Sequence, residues 1–184
     1  MILSVLVTLA NGFEELEAIS VIDVLRRAKC EVLVAKVGND DLVATSQTGV
    51  KIKCDIHLNS VDSSILEGIV FPGGWGGTME LANETKLTEI LELLNKNNKI
   101  IAAICAAPFA LFKHGILTNQ NFTCYPSVEE KIDNPNYKTQ SVVQDGNIIT
   151  SKGPGSALEF ALYLAEIFTS KEVAREVKEG MLIA

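Results

Sequence analysis

Short apolar segments alternate along the sequence with longer segments of helical periodicity. Four apolar segments have the length and β-branched composition of buried strands, and they span residues 2–8, 31–37, 68–71 and 99–104. Apolar residues at helical spacing mark the segments at residues 14–29, 84–97, 106–113, 156–168 and 170–178. Such alternation is typical of βαβ units, in which helices cover both faces of a parallel sheet. We therefore predict an α/β fold, a three-layer sandwich of flavodoxin-like or Rossmann-like architecture with a mainly parallel central sheet.

Two β-hairpins are predicted in addition to the parallel strands. Residues 45–56 have the pattern of a small hairpin around Gly49. Residues 140–144 and 147–151 form the pattern of a second hairpin, because Asp-Gly at positions 145–146 is a strong signal for a two-residue turn. No repeat or linker divides the sequence, so residues 1–184 are predicted to form a single domain.

Charge and cysteine usage exclude several classes of protein. With 16 basic and 23 acidic residues the formal net charge is −7, which argues against binding to nucleic acid as the main function. No apolar run approaches the length of a membrane span, so a cytoplasmic protein without a membrane contact is expected. The cysteines show no CxxC pattern and no paired histidine spacing, which predicts free thiols and no metal site; they are Cys30, Cys54, Cys105 and Cys124.

The glycine-rich residues 72–77 are expected to break the preceding strand and not to bind a nucleotide. Their sequence PGGWGG lacks the third glycine of a dinucleotide-binding loop, and no phosphate-binding P-loop occurs elsewhere. The sequence therefore predicts no bound cofactor.

The residues that follow the strands are the most informative ones, because ligands bind beyond the carboxyl ends of a parallel sheet. Carboxylates, glycine amides and one thiol follow the strands here and are expected to meet at one rim; they lie in residues 11–17, 71–74, 105–108 and 150–156. In the last of these segments Ser156 and Glu159 have the spacing of a capping box at the start of a helix.

Cys105 lies between a predicted buried strand and a helix that begins with small residues, in the manner of a nucleophile elbow. At such a place the sulfur faces a helix N-terminus and free backbone N–H groups, so we expect the pKa of the thiol to be lowered. The flanking Ala106 and Ala107 leave space around the sulfur. The alternative is a packing cysteine, which is the expectation for the other three cysteines.

Glu17 is the second candidate, and it is one of three glutamates at the start of the first predicted helix. Carboxylates there complement the helix dipole, which is a sufficient explanation for Glu14 and Glu15. If Leu16 and Ile19 face the sheet, Glu17 is partly buried at the rim. Its pKa is then raised, and its carboxyl group can exchange a proton with a nearby thiol.

Two further elements of the rim each allow two interpretations. The amides of Gly73 and Gly74 point into the crevice as an oxyanion hole, or these residues form a simple turn. Tyr125 belongs to a loop at the edge of the site, or to an ordinary turn.

Four motifs resemble those of one family when they are taken in their order and spacing. They are GFEELE at residues 12–17, FPGG at 71–74, AICAAP at 103–108 and TSKGPG at 150–155. The set resembles the ThiJ/PfpI superfamily, in the branch of the parkinsonism-associated deglycase and its bacterial relatives, over nearly the whole chain. The resemblance implies a flavodoxin-like homodimer in the cytoplasm.

The resemblance also implies roles for the residues of the site. Cys105 would be the nucleophile of the elbow, and Glu17 would be the carboxyl group that hydrogen-bonds to it. The backbone amides of Gly74 and Ala106 would be the donors near the sulfur. The residues of the possible rim are Gly73, Tyr125 and Pro154.

The implied reaction is that of a glyoxalase or deglycase that needs neither cofactor nor metal. Its substrates would be methylglyoxal, glyoxal and their early adducts on thiols and amines. Two positions depart from the pattern of some relatives, since Tyr125 stands in place of a histidine and residues 46–48 lack a hairpin arginine. Two other interpretations remain, namely a redox-sensing thiol protein or chaperone that acts through oxidation of Cys105, and a binding module without catalysis.

Overall fold

The computed structural model describes residues 4–38 and 41–184. The strands in this part of the chain are β1 (Ser4–Leu9), β2 (Glu31–Lys36), β3 (Val43–Thr45), β4 (Lys51–Lys53), β5 (Ile56–His57), β6 (Leu66–Phe71), β7 (Ile100–Ile104), β8 (Val142–Asp145) and β9 (Ile148–Ser151). The helices are α1 (Glu15–Arg27), α2 (Trp75–Asn83), α3 (Thr85–Lys96), α4 (Pro108–Lys113), α5 (Ala157–Phe168) and α6 (Lys171–Gly180). The first strand was expected to begin at residue 2, and residues 2 and 3 lie outside the described part.

Seven strands form the central sheet in the spatial order β5-β2-β1-β6-β7-β9-β8. Neighbouring strands are parallel, with the exception of the antiparallel pair β8 and β9. The prediction of a mainly parallel sheet is confirmed. β1 lies between β2 and β6, so the strand order reverses there, and the carboxyl ends of β1 and β6 flank the switch point at which ligands bind in such sheets.

Helices cover both faces of the sheet. On one side α5 packs between α1 and α6, and on the other side α2 and α4 are in contact. The ring of His114, at the end of α4, joins this second group, because it hydrogen-bonds to Thr88 Oγ1 of α3 and to the carbonyl oxygen of Leu81 of α2, each at 2.8 Å. The predicted flavodoxin-like three-layer sandwich is therefore confirmed. In residues 4–38 and 41–184, no helix is both long enough and apolar enough to cross a bilayer.

Helix α2 was not expected, because its first turn contains Gly76 and Gly77. These glycines lie against the loop that follows β1, where a Cβ atom on Gly77 would be 3.0 Å from Cα of Phe13. A Cβ atom on Gly12, in the same loop, would be 3.1 Å from Cα of Gly76. The helix keeps Gly77 because this backbone-to-backbone contact leaves little room for a side chain, although glycine lowers intrinsic helix propensity.

The start of α5 also differs from the expectation. The helix begins at Ala157, next to the predicted position, but the side chain of Ser156 does not cap it. The Ser156 hydroxyl instead hydrogen-bonds to the Gly153 carbonyl oxygen and to Ser151 Oγ, each at 2.9 Å. The capping-box prediction was therefore wrong, because the hydroxyl is used to hold the turn between β9 and the helix.

Strands β3 and β4 form the predicted small hairpin as a separate two-stranded antiparallel sheet, with Gly49 in its turn. Its predicted end at residue 56 was too late, because Ile56 pairs with β2 in the central sheet. The hairpin is tied to the loop after β1 by backbone hydrogen bonds from Gly12 to Thr45 (2.8 Å) and from Gln47 to Phe13 (2.9 Å). These bonds place the tip of the hairpin beside the carboxyl end of β1.

Candidate active site

Cys105 occupies a sharp turn between the end of β7 and the start of α4. Its backbone has a φ of 64°, in the left-handed region that non-glycine residues rarely adopt. Two hydrogen bonds hold this conformation, one from the Cys105 N–H to the Ser151 carbonyl (2.9 Å) and one from the Tyr125 N–H to the Cys105 carbonyl (2.8 Å). Strained backbone of this kind persists where the surrounding structure fixes it, often at functional sites.

Glu17, in the first turn of α1, is fully buried and reaches the same place from the carboxyl end of β1, on the far side of β6. Its Oε2 accepts a hydrogen bond of 2.7 Å from the Gly73 N–H. Its Oε1 is buried and has no partner of good hydrogen-bond geometry, although the Cys105 thiol is near enough to lower the carboxyl pKa. Burial outweighs both contacts and raises the pKa of Glu17 from 4.5 to about 7.

The side of α1 that faces the sheet differs from the expectation. Leu16 and Ile19 were expected to face inward, but they are 53% and 46% exposed. The buried face carries Glu17, Val21 and Val24, which follow each other at helical spacing. Glu17 is therefore buried more deeply than the sequence implied, because it lies on the inner face itself.

Gly73 allows the carboxyl group and the thiol to approach each other. A Cβ atom on Gly73 would lie 2.6 Å from Cβ of Cys105 and 2.7 Å from Oε2 of Glu17, so any side chain there would separate the two groups. Gly74 has a φ of 85° and begins α2, and a Cβ atom on it would be 2.3 Å from the Gly12 carbonyl oxygen. Both glycines are therefore required by close packing, which a simple turn would not need.

Opposing influences act on the pKa of Cys105. Burial raises it most, and the charge of Glu17 and the contact in which the thiol S–H points to its carboxylate raise it further. The backbone N–H groups of Gly74 and Ala106 lower it. The net direction is upward, chiefly because of burial, so the expectation of a lowered pKa was wrong. The sequence did not reveal that Cys105 is only 8% exposed, at the floor of a cavity and not on an open rim.

A cavity of about 300 Å³ opens above the sulfur of Cys105. Its wall brings together five of the sequence-predicted residues with several that were not predicted; the full lining is Glu14, Gln47, Gly74, Trp75, Cys105, Ala106, Tyr125, Val128 and Pro154. Glu17 and Gly73 lie beneath this floor.

Trp75 is the main feature of the cavity that sequence reasoning missed. Its ring packs on Phe109 with centroids 5.5 Å apart, and Lys131 Nζ lies 5.8 Å from its centroid. The only signal in the sequence was an aromatic residue directly after Gly74. Together with the half-exposed Tyr125, it gives the cavity aromatic walls.

The other three cysteines are free and buried in the core. Burial raises the pKa of Cys54 to about 11 and that of Cys124 to about 12, and it also raises the pKa of Cys30. None of the three lines the cavity above Cys105. Among the described residues, no group of three or more His, Cys, Asp or Glu side chains is placed to hold a metal ion.

Comparison with known proteins finds relatives of this chain in several organisms. The chain is 42% identical over 184 residues to protein dj-1beta of Drosophila melanogaster, with 98% of this chain and 97% of that protein covered. It is 35% identical over 173 residues to a Caenorhabditis elegans protein named glutathione-independent glyoxalase DJR-1.2, with 93% and 91% covered. It is 39% identical over 180 residues to protein DJ-1 homolog B of Arabidopsis thaliana, and there it covers 97% of itself but spans 41% of that longer protein.

The fold agrees with these relatives. The crystal structure of Drosophila melanogaster DJ-1beta matches with a TM-score of 0.95 and 40% identity, and the match covers 100% of both chains. The model of the DJ-1/PfpI family matches residues 3–167. The chain therefore belongs to the DJ-1/PfpI family.

Proposed function

We propose that this protein is a cysteine-dependent glyoxalase or deglycase that acts on 2-oxoaldehydes such as methylglyoxal and glyoxal, or on their early adducts with thiols and amines. The observation that carries the proposal is the convergence of the Cys105 thiol and the buried Glu17 carboxyl on Gly73, beneath an open cavity. A relative named as a glutathione-independent glyoxalase supports it.

In the first step, Glu17 takes the thiol proton of Cys105, and the sulfur attacks the aldehyde carbon. A C–S bond forms while the carbonyl π electrons move to the oxygen, and the N–H groups of Gly74 and Ala106 are the donors nearest to the sulfur. Glu17 then returns its proton to that oxygen, which gives a hemithioacetal. A carboxyl group with a pKa near 7 suits both transfers, because it is close to neutral pH.

In the second step, the Glu17 carboxylate removes the hydrogen of the sulfur-bearing carbon as a proton and returns it to the adjacent carbonyl carbon. A proton moves between the two oxygens, so the hemithioacetal becomes a thioester without any external oxidant. Water then attacks the thioester, the C–S bond breaks, and lactate (glycolate from glyoxal) leaves while Cys105 regains its thiol. The sum is addition of one water to the dicarbonyl.

The departures at Tyr125 and at residues 46–48 affect this proposal in different ways. The lining of the cavity contains no histidine, so both proton transfers are assigned to Glu17, with Tyr125 in the cavity wall. Gln47 supplies a neutral amide from the hairpin where a charged group would hold an oxyanion. We therefore propose slow turnover relative to enzymes that carry those groups.

Consumption of methylglyoxal by purified protein tests the proposal. Wild type should consume it and form lactate, and Cys105→Ser should consume none, while Cys30→Ser, a change at another buried cysteine, should keep the activity. Circular dichroism checks that each variant is folded. Equal consumption by wild type and Cys105→Ser would refute the proposal.

A redox-responsive thiol is the second candidate function. The protonated Glu17 carboxyl can donate a hydrogen bond to a sulfinate oxygen on Cys105, and its pKa of about 7 keeps much of it protonated near neutral pH. Graded hydrogen peroxide, which would supply both oxygen atoms of the sulfinate, should then modify Cys105 before the other cysteines. Peptide mass spectrometry reads this order, and random oxidation of all four cysteines would exclude the second candidate.

We also propose that residues 1–184 form one domain that pairs as a homodimer. Leu16 and Ile19 on α1 leave a large apolar surface exposed, and Val50 of the hairpin is exposed as well. Thr48 of the hairpin hydrogen-bonds to Glu15, which joins the hairpin to α1. Burial of this surface against a second copy would remove it from water.

A further inference from the structure

A second cavity, of about 310 Å³, adjoins the one above Cys105. The two cavities share Tyr125 and Pro154 in their walls. The ring of Tyr125 lies over Gly153, where a Cβ atom would be 3.2 Å from the ring carbon Cδ2. Tyr125 therefore separates the cavity above Cys105 from a neighbouring cavity of similar size.

Lys152 is the charged residue in the wall of this second cavity, and no carboxylate from the described residues, 4–38 and 41–184, lines it. Its Nζ makes a weak contact of 3.4 Å with the Thr139 carbonyl oxygen, and in residues 4–38 and 41–184 it has no ion-pair partner. The hydroxyl of Ser156, also in the wall, is already hydrogen-bonded within the turn. The compartment therefore offers an ammonium group in a chain whose formal net charge is −7.

The backbone of Lys152 lies near that of the nucleophile. Ser151 of β9 pairs with Ile104 of β7, and its carbonyl oxygen accepts the hydrogen bond of 2.9 Å from the Cys105 N–H. Cys105 and Lys152 therefore leave adjacent strand ends, which are about 4.8 Å apart in a sheet. A molecule held at Cys105 needs only a few bonds to reach past Tyr125 into the second compartment.

We propose that the second cavity is a subsite for a carboxylate and that Lys152 binds it, so that the preferred substrates are adducts of 2-oxoaldehydes with thiols or amines that carry a carboxyl group. In a thiol adduct, Cys105 replaces the outer thiol at the hemithioacetal carbon. The new C–S bond forms as the old one breaks, and the outer thiol leaves with the proton from Cys105. This inference rests on the proposed function for its chemistry, but the binding of a carboxylate does not depend on turnover.

Two matched alkylating probes test the subsite without any turnover. N-iodoacetyl-β-alanine carries a carboxylate, and its primary amide is the neutral twin. Their rates with Cys105, read by peptide mass spectrometry and divided by their rates with 2-mercaptoethanol, give a preference ratio. We expect the acid to react about fivefold faster than the amide in wild type, since an accessible ion pair contributes up to about 1 kcal/mol. The ratio should fall in high salt, because ions screen the pair.

Lys152→Gln should bring the ratio close to one, while Lys171→Gln, which removes the same charge from the exposed start of α6, should leave it as in wild type. Iodoacetamide, which is small and neutral, checks that Cys105 remains accessible in each variant. The same ratio in wild type and Lys152→Gln would overturn the subsite.

Methylglyoxal consumption separates this inference from the proposed function. Consumption without a Lys152-dependent ratio leaves the proposed function standing and refutes the subsite. A Lys152-dependent ratio without consumption supports the carboxylate subsite and refutes the proposed activity.

Discussion

Replacing Glu17 by glutamine should stabilise the fold at alkaline pH while it removes the activity. The wild-type carboxyl is fully buried, and one of its oxygens lacks a good hydrogen-bond partner. Glutamine has nearly the same shape and can still accept the hydrogen bond from the Gly73 N–H. It carries no charge at any pH, so it avoids the unfavourable burial of a carboxylate.

The magnitude follows from the pKa of Glu17. Burial raises it from 4.5 to about 7, which corresponds to about 3 kcal/mol of destabilisation of the ionised form. Between these two values the folded chain binds more protons than the unfolded chain, so stability falls as pH rises through this window. This loss of stability is complete above pH 7. The unfolding free energy of Glu17→Gln, plotted against pH, should not show it.

Urea unfolding of both proteins at pH 5 and pH 8 measures this difference. Between the two conditions, wild type should lose more unfolding free energy than Glu17→Gln, by an amount on the order of 2 kcal/mol. The contributions of all other titrating groups cancel in this difference, because both proteins contain them. Glu15→Gln is the matched control, since hydrogen bonds from Thr48 lower the pKa of Glu15. That carboxylate stabilises the fold above its unfolded pKa, so its removal should not stabilise the protein at pH 8. Equal pH dependence of wild type and Glu17→Gln would refute the reasoning.

Three further outcomes are expected. Gly73→Ala should lower the free energy of unfolding by about 1–3 kcal/mol and abolish turnover, because its Cβ would overlap the acid and the thiol; Gly180→Ala, with open space around it, should change stability by less than about 0.5 kcal/mol. Iodoacetamide at pH 8 should modify Cys105 before the other three cysteines although its pKa is raised, because Cys105 lines an open cavity and the other three do not line it. The reaction should be faster in Glu17→Gln, since the carboxylate that raises the thiol pKa is gone; four equal rates would contradict this. Ile19→Glu should sediment as a monomer where wild type sediments as a dimer, because the charge would have to be buried in the contact; an unchanged dimer would exclude this face.

The architecture of the sheet could be predicted because it depends on hydrophobic periodicity, which a single sequence displays directly. Helix α2 could not, because local propensity argues against a helix that starts with Trp75, Gly76 and Gly77. Gly77 is required by contact with a loop some sixty residues earlier in the chain. A contact of that range leaves no local pattern, so the segment was interpreted as a break.

The candidate site, like the fold, could be predicted from the sequence only in part. Cys105 and Glu17 could be named because each follows a strand, and parallel strands bring their carboxyl ends together. The raised pKa of Glu17 could be predicted from its burial. The pKa of Cys105 was predicted in the wrong direction, since the depth of its burial outweighs the nearby backbone N–H groups. The inward side of α1 was also misjudged, because Leu16 looks like a core residue by composition although its side chain points outward.

The β3–β4 hairpin has a consequence for the dynamics of the cavity. A two-stranded hairpin has little stability of its own, and this one is attached to the loop after β1 by a few backbone hydrogen bonds. Amide hydrogens there should exchange through local opening, while those of β1 and β6 exchange only when the whole sheet unfolds. Because Gln47 at the hairpin tip forms part of the cavity wall, such opening would widen the entrance for a bulky adduct while the floor with Cys105 stays fixed.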